Sequence, residues 1–459
     1  MSEVISIPRL RFLGGAQTVT GSKYLLTYDS TQILIDCGLF QGLKELRLKN
    51  WDLFPIDPKS IDAIILTHAH IDHSGYIPRL VKDGFRGNIF CTSATFALCK
   101  ILFPDSGHLQ EEEANFLTRK KSSKHSPPLP LFTKEEAVQA LEYFSPKDFN
   151  QDFEIAPGIK GTFRYAGHIL GAASAIIRAG SQIIAFSGDI GRQIDPLFRE
   201  PEPLPQVDYL VVESTYGNRV HQVSDPIGDL EKIINETVKE KGVILIPSFA
   251  VGRAQALMYY LSVLKKSGRI PSIPMYLNSP MATDASQLYH EYGSLHKLSA
   301  VQCDEMCNVV HYVKSVDESK ALNERKGPML IISASGMATG GRILHHLKAF
   351  APDPKNTIIL AGYQATGTRG RAIYDGAKEI KIHRDIIPVR AKVRMLENLS
   401  GHGDYVEILE WLSKSNISPK KVFITHGEKE SAFAMKKHIG EKFNWICEVP
   451  LQDQEFSLE

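Results

Sequence analysis

The sequence predicts an α/β protein in which a parallel sheet, covered by helices on both faces, is inserted into a first, strand-rich domain. Three textures carry this reading. Residues 1–205 alternate short apolar runs with Gly, Thr or Asp breaks. Residues 206–392 hold near-continuous apolar runs, most of them followed by a helical segment. Residues 393–459 revert to the first texture, as if the chain returned to the domain it had left. At 459 residues the chain is too long for one hydrophobic core and suits two or three domains.

In chain order, RLRFLGG, SKYLLTY and QILIDCG are short apolar stretches broken by turn formers, which predicts a β-meander. IDAIILTHAH leading into SGYIPRLVKDG, and GNIFCTS leading into ATFALCKILF, predict two strand–turn–helix units. Residues 108–145 look helical and polar, interrupted by KKSSKHSPPLP as an exposed loop. Strands return at IKGTFRYAGH, ASAIIRAG and QIIAFSGD. DYLVVES, GVILIPS, IPMYLNS, PMLIIS and NTIILAG are then apolar throughout, the pattern of parallel strands buried on both faces. Ligands of such sheets sit beyond the carboxyl ends of the strands, where Glu213, Ser248, Ser279, Ser333 and Gly362 stand. KVRMLENLSGHGDY, a helix near VEILEWLSK and the strand of KKVFITHGE read as the return to the first domain.

Composition narrows the function classes. Hydrophobic residues at 43% and charged residues at 23% are ordinary for a soluble globular protein. No stretch approaches the roughly 20 apolar residues of a membrane helix, and MSEVISIPRL lacks the pattern of a secretory signal. The cytoplasm is therefore the expected compartment, with no membrane partner. The cysteines Cys37, Cys91, Cys99, Cys303, Cys307 and Cys447 form no CxxC pair and read as reduced thiols. Cys303 and Cys307 fit one helix face, but two ligands fall short of a four-ligand zinc site. A net charge of +1 from 53 basic and 52 acidic residues argues against nonspecific coating of nucleic acid. It still permits a local basic channel, because binding follows the local field. The run Arg119 to Lys124 and the scattered Arg369, Arg371, Arg390 and Arg394 are candidates for it, against the common alternative of a solvated face.

The chemistry concentrates at His68-Ala69-His70-Ile71-Asp72-His73, directly after the strand IDAIILT. Four metal-capable side chains on one strand–helix turn can address two adjacent ions, and imidazole with carboxylate suits zinc. His168 in YAGHILG, Asp189 in FSGDIGR and His426 in ITHGE each close a strand in the same manner. Strand ends are rigid, as a metal site requires.

With those residues in view the resemblance becomes specific. HAHIDH with His168, Asp189 and His426 resembles the metallo-β-lactamase superfamily. GGAQTVTGS, DCGLFQG, ESTYGNR, PSFAVGRAQ, SASGMATGGRILHHL, AGYQATGTRGRAI, LSGHGDY and THGE are similar to its β-CASP branch of nucleic-acid-processing nucleases. These pieces run from residue 14 to 428, nearly the whole chain. The resemblance implies an αββα sandwich (residues 1–205 and 393–459) interrupted by a β-CASP domain (206–392). It implies two Zn2+ per chain, one held by His68, His70 and His168, the other by Asp72, His73 and His426, with Asp189 bridging. Asp36 matches a motif that steadies the histidine loop without binding metal. Glu213 and His402 match the pair that donates a proton. The implied activity is hydrolysis of single-stranded RNA, endonucleolytic, leaving 5′-phosphate and 3′-hydroxyl ends, with Asp189, Asp72, His402 and Glu213 as the catalytic set. A homodimer is an open alternative to a single chain. A DNA-processing member of the branch usually has valine where His426 stands, so His426 favours RNA. A 5′-exoribonuclease also fits the motifs, whereas a thioester or lactone hydrolase would have no use for Glu213, His402 or the insertion.

SASGMATGGR lies between a strand and the helix RILHHLKAF. N–H groups at a helix start cradle phosphate, and glycines admit close approach. No Gly-Lys-Ser/Thr follows, which excludes a nucleoside-triphosphate loop. Ser333, Ser335, Gly336 and Met337 are candidate substrate contacts there, with Arg253 and Arg369 nearby in the motifs that follow other strands. His345 and His346 are weaker candidates to touch phosphate, and the remaining eight histidines read as surface or packing residues.

Overall fold

A computed structural model describes residues 6–119, 128–221, 225–396 and 399–459. Most of the expected loop KKSSKHSPPLP, and the side chains of the basic run Arg119 to Lys124, lie outside the described residues. The chain forms two compact units, Met1–Val220 with His402–Glu459, and His221–Gly401.

The first unit is built on two mixed seven-stranded sheets. One runs Glu455–Ser457, Arg9–Gly14, Lys23–Tyr28, Thr31–Ile35, Ala63–Ile65, Asn88–Thr92, Phe144–Lys147. The meander half is antiparallel and the strand–helix half parallel. The other sheet runs Cys447–Glu448, Lys421–Thr425, Tyr209–Glu213, Gln182–Phe186, Ala173–Ala179, Ile159–Tyr165, Asp152–Ala156 and is divided in the same manner. Leu10, Phe12, Leu26 and Ile35 of the first sheet share one core with Phe163, Ile177, Phe186 and Val211 of the second. Helices cover the outer faces: Ser93–Arg119 packs on Asn88–Thr92, and Lys429–Phe443 packs on Lys421–Thr425. This is the αββα sandwich. No helix among the described residues is long and apolar enough to cross a membrane.

The second unit holds a six-stranded, all-parallel sheet in the order His311–Tyr312, Met275–Asn278, Met329–Ser333, Val243–Pro247, Thr357–Ala361, Lys392–Leu396. Two strands were expected elsewhere. DYLVVES, read with the parallel insertion, forms Tyr209–Glu213 in the second sheet of the sandwich. It is central there, parallel to both neighbours and buried along its whole length, so its texture is that of an insertion strand. KVRML, read as the return to the first domain, is instead the edge strand of the parallel sheet. An edge strand keeps one side wet, and Lys392, Val393, Arg394 and Met395 are only partly buried or exposed. Apolar continuity thus reports burial on two faces and not membership of a domain.

His346 also departs from its expected role. It is fully buried, its Nδ1–H donating to Asn323 Oδ1 at 2.6 Å and its Nε2 accepting from Asn278 Nδ2 at 2.6 Å. Asn278 in turn donates to Ser319 Oγ and accepts from Arg342. The ring is a neutral bridge inside the unit, and burial pushes its pKa down to about 4, with the charges of His345 and Arg342 adding to the effect. An unfolded chain would take this proton near pH 6.5, so His346 supports the fold above that pH and loses its support between pH 6.5 and about 4. The loss from this group is about 3 kcal/mol at most. Urea-unfolding midpoints measured across that range should fall more steeply for the wild type than for His346→Gln. Parallel curves would show that the ring is not held neutral.

Candidate metal centre

The strand geometry of the sandwich explains why residues far apart in sequence meet. Gln182–Phe186, Tyr209–Glu213 and Lys421–Thr425 are parallel neighbours, with Phe186 opposite Val211 and Glu213 opposite Thr425. Their carboxyl ends therefore lie side by side and deliver Asp189, Glu213 and His426 to one place. His68 follows Ala63–Ile65 of the facing sheet, and His70, Asp72 and His73 open the short helix Ile71–Ser74 beyond it. His168 comes from the turn after Ile159–Tyr165.

Asp189 is the centre of the group. Its Oδ2 lies 3.3 Å from His68 Nε2 and 3.5 Å from His168 Nε2, and its Oδ1 lies 3.3 Å from His73 Nε2 and 3.4 Å from His426 Nδ1. His168 Nε2 is 3.1 Å from His70 Nδ1, and His426 Nε2 is 3.3 Å from Asp72 Oδ2. Among the sets of donor atoms close enough to share an ion are His68, His70, His168 and Asp189, and, beside them, Asp72, His73 and His426. All seven expected ligands are thus brought together.

The backbone of the site is built on close approaches and two left-handed residues. A Cβ on Gly38 would stand 1.6 Å from the Asp72 carbonyl, and one on Gly191 would stand 2.1 Å from the Gly167 carbonyl. Glycine at these positions lets the Asp36 loop reach the histidine loop, and the Asp189 loop reach the His168 turn. Asp36 (φ 55°) and His426 (φ 46°) occupy the left-handed region, which costs about 1–3 kcal/mol at a residue other than glycine. His426 is held there by its N–H on the Gly15 carbonyl and by Ser214 N–H and the Thr215 hydroxyl on its own carbonyl. Asp36 accepts from Thr67 N–H at 2.8 Å and Thr67 Oγ1 at 2.9 Å, and its Oδ2 contacts His73 Nδ1 at 2.7 Å. It therefore orients His73 from behind. Thr67 and Thr215, whose hydroxyl lies 3.1 Å from His426 Nδ1, were not singled out from the sequence. Thr67 directly precedes His68 and Thr215 lies within ESTYGNR two residues after Glu213, and that is the signal that would have found them.

Charge at the site is unbalanced. Burial pushes the pKa of His68 down to about 3 and of His70 to about 4, and that of His168 well below the usual value. Burial also opposes a charge on His73, but Asp189 and Asp36 outweigh it and raise its pKa. Burial disfavours an Asp189 carboxylate, yet His426, His73, His68 and His402 hold its pKa well below the ordinary carboxylate value. His68 Nε2, His73 Nε2 and both Asp189 oxygens are buried without a hydrogen-bond partner. Lone pairs of the neutral His68, His70 and His168 beside an unsatisfied carboxylate are complementary to a cation. The donor set fits zinc.

Glu213 and His402 stand beside this set. The buried Glu213 accepts from Ile190 N–H at 2.7 Å and Thr215 N–H at 3.3 Å, and both oxygens are 3.2 Å from His402 Nδ1. Glu213 is also within ligand reach of Asp189 and His426, but its oxygens are already engaged by these three donors. Burial opposes the imidazolium of His402, but Glu213 and Asp189 carry its pKa up to about 9. Its segment is pinned by Gly403 N–H on the Ile190 carbonyl and by the Asp404/Glu407 capping box of helix Tyr405–Ser415.

The candidate substrate contacts all lie in the parallel-sheet unit. Ser333 is buried and its hydroxyl donates to the Asn278 carbonyl, so it faces the sheet. Ser335 is the accessible one, its Oγ accepting from Thr339 N–H and contacting Thr339 Oγ1. Gly336 packs on Phe249, whose ring and N–H a Cβ would meet at 2.6 and 2.8 Å, and Met337 is buried. Arg369 braces the loop through the carbonyls of Ala338 and Thr339. Arg253 opens helix Arg253–Lys266, its guanidinium near Gly362. The first N–H groups after the loop are not open to phosphate, because those of Ile343, Leu344 and His345 donate to Ala334, Gly341 and Arg342. Cys303 and Cys307 join no potential ligand cluster among the described residues.

Since Asp36 fixes His73 without reaching the cation position itself, Asp36→Ala should keep the fold of the site and loosen its metal. Losses of this kind are about 10- to 100-fold in affinity. Competition against a zinc chelator checks it, and retention equal to wild type would show that Thr67 and the loop suffice.

Three stretches of the chain match known protein families. Residues 18–85 match the metallo-beta-lactamase superfamily, 254–373 the Beta-Casp domain, and 386–450 the Zn-dependent metallo-hydrolase RNA specificity domain. Ribonuclease TTHA0252 of Thermus thermophilus is 34% identical over 92% of this chain and 94% of its own. The RNase J-like protein of Methanocaldococcus jannaschii is 32% identical over 96% and 98%. Transcription termination factor FttA of the same organism is 32% identical over 96% of this chain and 70% of its own. A crystal structure of a protein of unknown function from Enterococcus faecalis shares the fold, with a TM-score of 0.56 at 14% identity over 98% of this chain and 100% of that one. The chain belongs to the β-CASP family of the metallo-β-lactamase superfamily and is a metal-dependent hydrolase.

Proposed function

We propose that this protein is a two-zinc ribonuclease that hydrolyses phosphodiester bonds within single-stranded RNA, leaving 5′-phosphate and 3′-hydroxyl ends. The observation that carries the reading is the pairing of His402 with Glu213 beside a complete set of seven metal-capable side chains. The match to an RNA specificity domain and the name of the Thermus relative support RNA as the substrate. His68, His70 and His168 would hold one ion, Asp72, His73 and His426 the other, and Asp189 would serve both. Zinc held there supplies acidification of the attacking water and neutralisation of phosphate charge.

The protein's own residues handle the departing group. Attack of water on phosphorus breaks the bond to the 3′-oxygen, which must gain a proton to leave as a hydroxyl. His402 engages Glu213 through Nδ1, so Nε2 is the nitrogen that delivers the proton. Glu213, in contact with Nδ1, favours the protonated form of the ring. The proton given up by the attacking water restores the donor.

Purified protein should carry two zinc ions per chain by elemental analysis. Asp189→Ala should lose activity and at least part of the metal. Activity indifferent to chelators, or equal turnover of single-stranded DNA, would overturn the reading, and product from chain ends alone would replace the endonuclease by an exonuclease.

His402→Ala should lower kcat by about 10²–10⁴-fold with zinc retained and RNA affinity little changed. Glu213→Gln should cost less, since the donor remains. On a substrate with sulfur at the 3′-bridging position the leaving thiolate needs no proton, and His402→Ala should regain much of its rate. Loss of zinc, or equal impairment on the sulfur substrate, would make His402 a ligand or a positioning group.

A further inference from the structure

The segment from Leu43 to Leu53 presents to solvent what globular surfaces usually cover. Within eleven residues, Leu43, Leu48, Trp51 and Leu53 are 37%, 52%, 51% and 94% exposed. Lys44, Arg47 and Lys49 are exposed along the same stretch, beside Glu45 and Asp52, and among the described residues none of these three cations is in an ion pair. Isolated apolar residues on a surface need no explanation, but four exposed within eleven residues, one of them an indole, are more than scatter.

The segment is tied to the metal centre within the same unit. Asn50 is buried, its side chain accepting from Phe40 N–H at 2.9 Å and donating to the Phe40 carbonyl at 2.8 Å. Leu39 N–H donates to the Ile71 carbonyl, Cys37 N–H to the His73 carbonyl, and Gly38 rests against Asp72. Asn50 thus fastens the segment to the loop that backs the histidine motif, and Trp51 stands one residue beyond the fastening. An exposed indole among uncompensated cations is the pairing that single-stranded nucleic acid recognises, its bases stacking while its phosphates meet the charges. A protein partner would use the leucines but has no need of three cations without counter-ions.

We propose that Leu43–Leu53 is a landing surface for the single-stranded RNA that the metal centre cuts, with Trp51 stacking on a base and Lys44, Arg47 and Lys49 meeting phosphates. The inference rests on the RNA reading of the preceding section and adds a subsite to it.

The test uses the full zinc-loaded chain with labelled oligouridylate as the binding probe and bis(p-nitrophenyl) phosphate as a substrate too small to reach the segment. Trp51→Ala should weaken oligouridylate binding by about 5- to 100-fold and raise KM for RNA with kcat nearly unchanged. Turnover of the small ester should equal that of the wild type, which separates this effect from damage to the centre. Trp51→Phe should recover part of the affinity, because a smaller ring still stacks. Arg47→Ala with Lys49→Ala should flatten the dependence of log affinity on log salt by about 1.4. Oligouridylate affinity and salt slope equal to wild type in both variants would overturn the proposal and leave the patch to a protein. A wild-type protein that turns over the small ester yet neither binds nor cuts RNA would overturn the RNA reading itself, and the subsite with it.

Discussion

A carboxylate buried beside four histidine rings is a poor arrangement for a protein by itself, and Asp189 is such a carboxylate. Four histidine nitrogens face its two oxygens at 3.3–3.5 Å, and neither oxygen has a hydrogen-bond partner. Desolvation penalises the anion, and the crowd of rings cannot all be protonated to compensate it. A cation resolves the frustration, because it satisfies lone pairs of both kinds at once. Much of the sandwich can be understood as the scaffold that holds this arrangement together, since two sheets must bring their strand ends within a few ångströms of one carboxylate.

That demand explains the strain and the close contacts around it. Asp36 and His426 sit in the left-handed region, and Gly38 and Gly191 stand where no Cβ would fit. The fully buried Lys23 is a further part of the scaffold. Its ammonium donates to the Gly38 carbonyl and lies over the rings of Phe40 and Tyr76, and burial pushes its pKa down to about 8. Each feature costs stability locally. The common sheet core, from Leu10 to Phe423, offsets them.

The parallel-sheet unit follows ordinary packing logic, and there chemistry-bearing residue types have structural uses. His346 and Ser333 read as substrate candidates because they flank a glycine-rich loop, yet both are buried with their polar atoms engaged inside the unit. A polar side chain near a phosphate-like motif says little until its partners are known, since a buried polar group must find one. Ser335 keeps its accessible position in the same loop, and only the three-dimensional path of the chain separates it from Ser333.

The sequence by itself determined the αββα sandwich, the presence of an inserted parallel sheet, and all seven metal-capable residues. Each of those residues closes a strand or opens a helix, and such junctions are visible as a change of hydrophobic period. Tertiary structure decided what periodicity cannot express. Tyr209–Glu213 and Lys392–Leu396 exchanged their expected sheets, because a central sandwich strand looks like a buried parallel strand and an edge strand looks like neither. The resemblance already paired Glu213 with His402 and set Asp36 behind the histidine loop; only the fold supplied the contacts themselves, Asp36 on Thr67 and His73, Glu213 between Ile190 and His402, and Asn50 beneath Phe40. Those pairings join residues up to 189 positions apart. Nothing local encodes such a distance, because it is set by which strands lie side by side.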